Sequence, residues 1–479
     1  MRRIVLALLG AGIAAVASAG AGASVRHPAS ATILTSWPEF GLNPQRTGST
    51  DAATGITAAN VAHLQLRKVQ LPGTVDSSAI FLSGVNVGGM VQNVVIVTTT
   101  DGITMAINPA SGQILWKFTP PGISGWAGSA QITVATPLAD ASTGFVYATS
   151  PDGLVHKLSL ANGSEASGWP ARITLLPSRE KLTAGLNIAG NEILASTGGY
   201  LGDAPPYVGH IVAINSQTGH IDAVFNTLCA NRHTIINPPS CDASDSAILS
   251  RSGPVVLPGG KRVLIATGNA PWNGTTDFGD SVIELSLPDL RFVQAYTPVD
   301  QEHLNVSDTD EGSGSPALLP GNVVLQGGKD GLLRVISLAH MDGRRHPYPE
   351  RTGGQVQKLP TPGGAELFSA PAVWHSYVFV ADGGGTTAYV ARHRRLHPIW
   401  TNGNHGTSPV VAGGLLYVYD MDNGGINVYE PQSGKLVTTL ACASGHWNSP
   451  IVVDGYVVEG EGDANSHDTS GVLDIWSAS

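Results

Sequence analysis

An all-β, eight-bladed β-propeller with four antiparallel strands per blade is the fold this sequence predicts, and three observations predict it. The 479-residue chain is poor in charged residues, at 13%, and rich in turn formers, with 59 Gly and 31 Pro. That composition suits short strands and tight turns rather than long solvated helices. A short signature also recurs eight times: small residues, then Pro or another small residue, then an apolar run. Finally, each copy is followed by the same order of strand and turn signals.

The copies read SSAIFL at 77–82, ATPLAD at 135–140, TAGLNI at 183–188 and SGPVVL at 252–257, then GSPALL at 314–319, SAPAVW at 369–374, TSPVV at 407–411 and NSPIVV at 448–453. The clearest unit continues as VVIVTTTDGITMAINPASGQILWKF at 94–118. Asp101-Gly102 is a tight hairpin signal. Ile103, Met105 and Ile107 alternate with Thr104, Ala106 and Asn108, as a strand requires. Ser111-Gly112 turns the chain again, and Ile114, Leu115 and Trp116 begin an outer strand. Four short strands per unit, repeated eight times, make a propeller. Long loops account for the greater length of the third to fifth units. The last unit supplies strands near 450–453, 455–459 and 472–476 and lacks a fourth. The strand-like Leu64–Val69, ahead of the first unit, is expected to complete it and leave no open edge.

Ahead of the propeller, assigned to 37–479, lies a processing segment. Arg2 and Arg3 precede the apolar run Ile4–Val16, and Ala17-Ser18-Ala19 offers a cleavage site. This is a secretory signal over 1–19, followed by a flexible linker over 20–36. The apolar run is short for a membrane span, so none is expected after cleavage. Secreted or periplasmic localisation follows. The formal net charge is −10 and the densest basic cluster, Arg392 to His397, is too short to exceed a solvated turn. Nucleic-acid binding is thereby excluded. Export permits a disulfide among Cys229, Cys241 and Cys442. Three pairings are open, and Cys229–Cys241, which brackets a Pro-rich loop, is favoured.

The Ser-Pro/apolar start, the Asp-Gly hairpin, the Gly-x-x-x-Trp ending and the N-terminal WPEFGLNPQRTG together resemble the repeat of the pyrroloquinoline-quinone (PQQ) propellers, the quinoprotein alcohol dehydrogenase-like family. Nearly the whole mature chain is covered. The resemblance implies PQQ and Ca²⁺ as cofactors, an alcohol, polyol or sugar as substrate, and a separate electron acceptor. It also implies site residues. IATGNAPWNG at 265–274 maps Asn269 onto a Ca²⁺ ligand, Gly279-Asp280-Ser281 maps Asp280 onto the proton-abstracting base, and GGKDGLLRVISL at 327–338 maps Lys329 onto the quinone contact. GDAPPYVGHIV at 202–212 offers Asp203 as the nearest acid to a second metal ligand, one position off register. Where the family places a floor Trp, this sequence has Arg251, whose guanidinium can lie against a flat ring. The adjacent cysteines that wall the cofactor in many relatives are absent.

Outside that pattern, His446 and Trp447 precede the last inner strand, where inner-strand entrances line the funnel mouth. They serve either ligand contact or packing between blades. Asp308, Asp310 and Glu311 form an acidic loop that either binds Ca²⁺ or is solvated. Asp420 to Gly424 reads as a hairpin turn. Two functions remain open: a PQQ-dependent oxidoreductase, or a non-catalytic propeller that binds a protein or glycan.

Overall fold

The computed structural model describes residues 35–200, 204–344 and 351–478. Asp203 and the proposed signal segment lie outside these residues. Eight sheets form the blades of a propeller, each built on four antiparallel strands; the first carries Ser36–Trp37 as a fifth strand, and only the last departs from sequential order. Each of the eight signature copies leads into a first strand: Ile80–Val87, Leu138–Asp140, Asn187–Ala189, Val255–Val256, Ala317–Leu319, Ala372–Trp374, Val410–Ala412 and Ile451–Val453. First strands of neighbouring blades touch one another, so they line the central channel.

Why the strands read as unbroken apolar runs follows from the packing. Val94, Val95, Ile96 and Val97 are all fully buried. Val94 and Ile96 pack with Val146 and Leu158 of the next blade, whereas Val95 and Val97 join a cluster with Val458 and Ile475 of the last blade. Side chains alternate across a strand, and both faces of a blade are covered, so neither register is polar. Each such Val or Ile contributes about 1.5–3 kcal/mol by leaving water.

The Gly-x-x-x-Trp ending links blades. The Trp116 indole donates to the Leu160 carbonyl of the next blade at 2.9 Å, and Trp400, which has Leu396 in place of the motif Gly, donates likewise to Pro431 O at 2.9 Å. Under Trp116 lies Gly163, with φ of +73°, where an added Cβ would come within 2.6 Å of the ring. Glycine is required there both by the left-handed backbone and by the close approach.

The ring closes as the sequence predicts. Gln65–Leu71 pairs along its whole length with Gly471–Ser477 and becomes the outer strand of the last blade. The preceding segment, 35–56, crosses the channel at the far ends of the inner strands. Ser36–Trp37 pairs with the first blade. Backbone hydrogen bonds then run from Ala139 N to Pro38 O, Val256 N to Pro44 O, Val373 N to Thr47 O, Thr50 N to Val411 O and Gly455 N to Thr54 O. Arg46 reaches Leu186 O at 2.6 Å and Glu39 at 2.7 Å, with both side chains buried. The segment thus plugs one end of the channel and touches seven of the eight blades. Cys229 and Cys241 form the expected disulfide, and Cys442 is free.

Candidate functional site

The opposite end of the channel is open. Residues that immediately precede the inner strands converge there around a cavity of about 390 Å³, which Arg251, Lys329, Trp447 and His446 line together with Lys181, Tyr200, Leu249, Asp308, Asp310 and Phe368. A volume in this range suits a small organic ligand. Six of the residues singled out in the sequence, Arg251, Lys329, Trp447, His446, Asp308 and Asp310, therefore share one cavity.

The sequence gives no warning of its most ordered polar group. Asp76, just ahead of the first inner strand, is fully buried. Its Oδ2 receives the Ala464 N–H at 2.8 Å and lies 2.6 Å from His446 Nδ1. Arg251 donates from Nη2 to Asp76 Oδ1 at 3.0 Å and from Nη1 to Asp76 O at 2.8 Å. Burial works to push the Asp76 carboxyl up, but Arg251, His446 and the Ala464 N–H together hold it below its ordinary value. An ionised carboxylate can only accept, so the proton of neutral His446 sits on Nδ1. Nε2 is left as an acceptor, 3.3 Å from the Asn465 amide. Arg251 Nη2 also comes within 3.1 Å of Nδ1. With the Nδ1 proton aimed at Asp76, that approach is a contact between two donors. Asp76, His446 and Asp463 place three ligand-type atoms within 4.8 Å of one another, but the Arg251 guanidinium already supplies the positive charge at Asp76.

Flat groups are present, though arranged otherwise than the sequence suggests. Trp447 stacks on Phe368 at 4.1 Å with an interplanar angle of 10°, and on His446 at 3.9 Å with 25°. On one face of the indole these two rings would overlap each other, so they take opposite faces. Both faces of Trp447 are thereby covered. Arg251 does lie over a ring, 5.4 Å from the centre of Trp447.

Asp280 is the residue expected to act as the base. It is fully buried, has φ of +49°, and is not part of the cavity lining. Gln301 Nε2 and the Glu311 N–H, each at 3.2 Å, hold its two oxygens. Burial is the main cause of a pKa raised to about 8, so the carboxyl stays protonated at neutral pH. Gln301 comes from a short helix, Gln301–Val306, that the sequence reading missed.

Asn269 contributes its backbone N–H to Asp310 Oδ1 at 2.7 Å and likewise stands outside the lining. Lys329 sits between Asp310, at 2.5 Å, and Asp308, at 3.0 Å. Burial would lower its pKa, and the two aspartates more than offset that. Glu311 is taken up by Arg334 at 2.5 Å. Among the described residues, then, the acidic loop carries an ammonium where a metal would sit, and the set does not fit Ca²⁺. The cations Arg251 and Lys329 beside an aromatic wall do fit an anionic, planar organic group. Asp420 accepts from the backbone of Asp422 and Asn423, as a hairpin turn does.

No family model matches the sequence, and no curated protein does. Solved structures do. The chain is similar to the quinohemoprotein alcohol dehydrogenase of Comamonas testosteroni, at 14% identity and a TM-score of 0.69, over 92% of this chain and 80% of that one. It is similar to a europium-containing methanol dehydrogenase, at 12% identity and a TM-score of 0.67, over 93% and 98%. The fold is that of the quinoprotein dehydrogenases. BamB from Moraxella catarrhalis is a further match, at 13% identity and a TM-score of 0.56, over 87% and 100%. The propeller contains, among its described residues, no helix long and apolar enough to cross a membrane.

Proposed function

We propose that the chain is an exported, quinoprotein-like oxidoreductase acting on an alcohol, polyol or sugar, with His446 as the proton acceptor. The observation that carries this reading is the Asp76–His446 pair at the cavity wall. A buried carboxylate that fixes Nδ1–H leaves Nε2 as the basic atom, within reach of a substrate hydroxyl in the cavity. As that proton arrives, Asp76 stabilises the imidazolium, and Arg251 keeps Asp76 ionised and in place. Arg251 and Lys329 would hold PQQ through its carboxylates. PQQ, when bound, supplies the acceptor for the hydride equivalent. Asp280, neutral and sealed, supports the wall beside Glu311 and takes no proton. A separate acceptor would receive the electrons, and the N-terminal signal supports a secreted or periplasmic location.

The test is calorimetric titration of the purified chain with PQQ, followed by dye reduction with a panel of alcohols and sugars. Uptake of PQQ and turnover that His446→Gln removes would support the reading. A folded chain that takes up no PQQ would sink it.

One observation favours a second reading, a non-catalytic propeller whose mouth binds a protein or glycan. Phe368 and His446 cover both faces of Trp447, so that ring offers no free floor to a cofactor. On this reading His446→Gln leaves the biological activity unchanged.

A further inference from the structure

We propose that Lys181 captures a small aromatic aldehyde as an imine inside the open-end cavity. Lys181 lies on the two-residue strand Glu180–Lys181, which pairs with Gly198–Gly199, and it lines the cavity. Its two companions among the lining cations are both engaged, Arg251 with Asp76 and Lys329 with Asp308 and Asp310. Among the described residues, Lys181 alone of the three has no ion pair and no hydrogen bond from Nζ. Lys181 is half-buried, and Asp76, too far for an ion pair, only partly offsets the Arg251 charge; the usual resolution for such an ammonium is loss of the proton. Burial first, and the neighbouring Arg251 charge second, lower its pKa to about 8. A desolvated lysine beside another cation is the arrangement that makes an amine nucleophilic at ordinary pH.

The remaining walls select the partner. Tyr200, Leu249, Phe368, Trp447 and Val134 give the cavity an apolar, partly aromatic side, set among polar groups that include Thr183, Ser313, Glu366 and Asn465. A small aromatic ring bearing a carbonyl matches these side chains. The lysine nitrogen adds to the carbonyl carbon, the C=O π pair moves to oxygen, and a proton passes from nitrogen to that oxygen. The resulting hydroxyl leaves as water with the remaining N–H proton, and a C=N bond forms. Nothing is oxidised or reduced. The inference does not depend on the oxidoreductase reading.

The full chain is incubated with benzaldehyde and sodium cyanoborohydride, and its peptides are read by mass spectrometry. The expected result is a benzyl group on Lys181, acquired about tenfold or more faster than on the exposed Lys435, because more of the amine is neutral. The rate at Lys181 levels off above about pH 8. Lys181 left unlabelled, or labelled no faster than Lys435, overturns the proposal. Because the wild-type chain is labelled directly, no variant has to fold for the result to count.

Discussion

The two ends of the channel both bury charge, and they do so in opposite ways. At the plugged end, Arg46 spends its guanidinium on Glu39, on Phe40 O and on Leu186 O. Its partners are protein atoms, and of its three nitrogens Nε is left without one. At the open end, Asp76 is just as buried, but the imidazole it orients turns Nε2 outward and Lys181 carries an amine with no partner. A buried charge whose bonds are filled by the chain holds the fold together. One that leaves valence facing a cavity marks a place for a ligand.

The contrast can be broken or sharpened by substitution. Arg46→Met leaves Glu39 buried without its counter-ion and is expected to cost about 3–5 kcal/mol in urea unfolding. A loss under about 1 kcal/mol would show that the plug is not structural. His446→Gln acts at the other end: dye-linked turnover should fall about a hundredfold or more, with stability nearly unchanged. Equal losses in stability and turnover would move His446 to the structural side of the comparison. Removing the Cys229–Cys241 bridge, which closes a loop of sequence separation 12, should cost about 2–3 kcal/mol and leave ligand binding at the cavity intact.

A further effect is a slope. Asp280 titrates near 8 in the folded chain against an ordinary 3.8. The folded state therefore holds a proton that the unfolded chain has released. Stability from this group is complete below about pH 4 and is lost as pH rises toward 8. Asp280→Asn should flatten that decline between pH 5 and pH 8, measured by urea unfolding at each pH. An unchanged slope would mean that the carboxyl is already ionised and could still serve as a base.

The architecture was legible because it is written eight times. Eight Pro or small-residue entries, each with its turn glycines, fix strand order and even the seam, and Gln65–Leu71 falls where the missing fourth strand demands it. The site was legible only in part, because a cavity depends on side chains that meet from different blades. Arg251, Lys329 and Trp447 stand out by local motif and do meet there. Asp280 also has the right local motif, but its state is set by burial under elements from elsewhere in the chain, among them Gln301 and Glu311, which hold its oxygens. Asp76 and Lys181 sit in unremarkable sequence. What distinguishes them is position: Asp76, like Arg251 and Trp447, stands immediately before an inner strand. That repeat position, applied to every unit, would have found it.

The seam has a consequence for how the molecule reaches its final form. Seven blades draw all four strands from one stretch of chain, so each can assemble early from local contacts. The eighth must bring residues 65–71 against 471–477, which adds the entropy of closing nearly the whole polypeptide into a loop. Ring closure is therefore the high-contact-order step, the one on which the folding rate should depend most. Until it happens, the edge of Gly471–Ser477 is open to pairing with another chain, so crowding during synthesis or refolding threatens the molecule most at this joint.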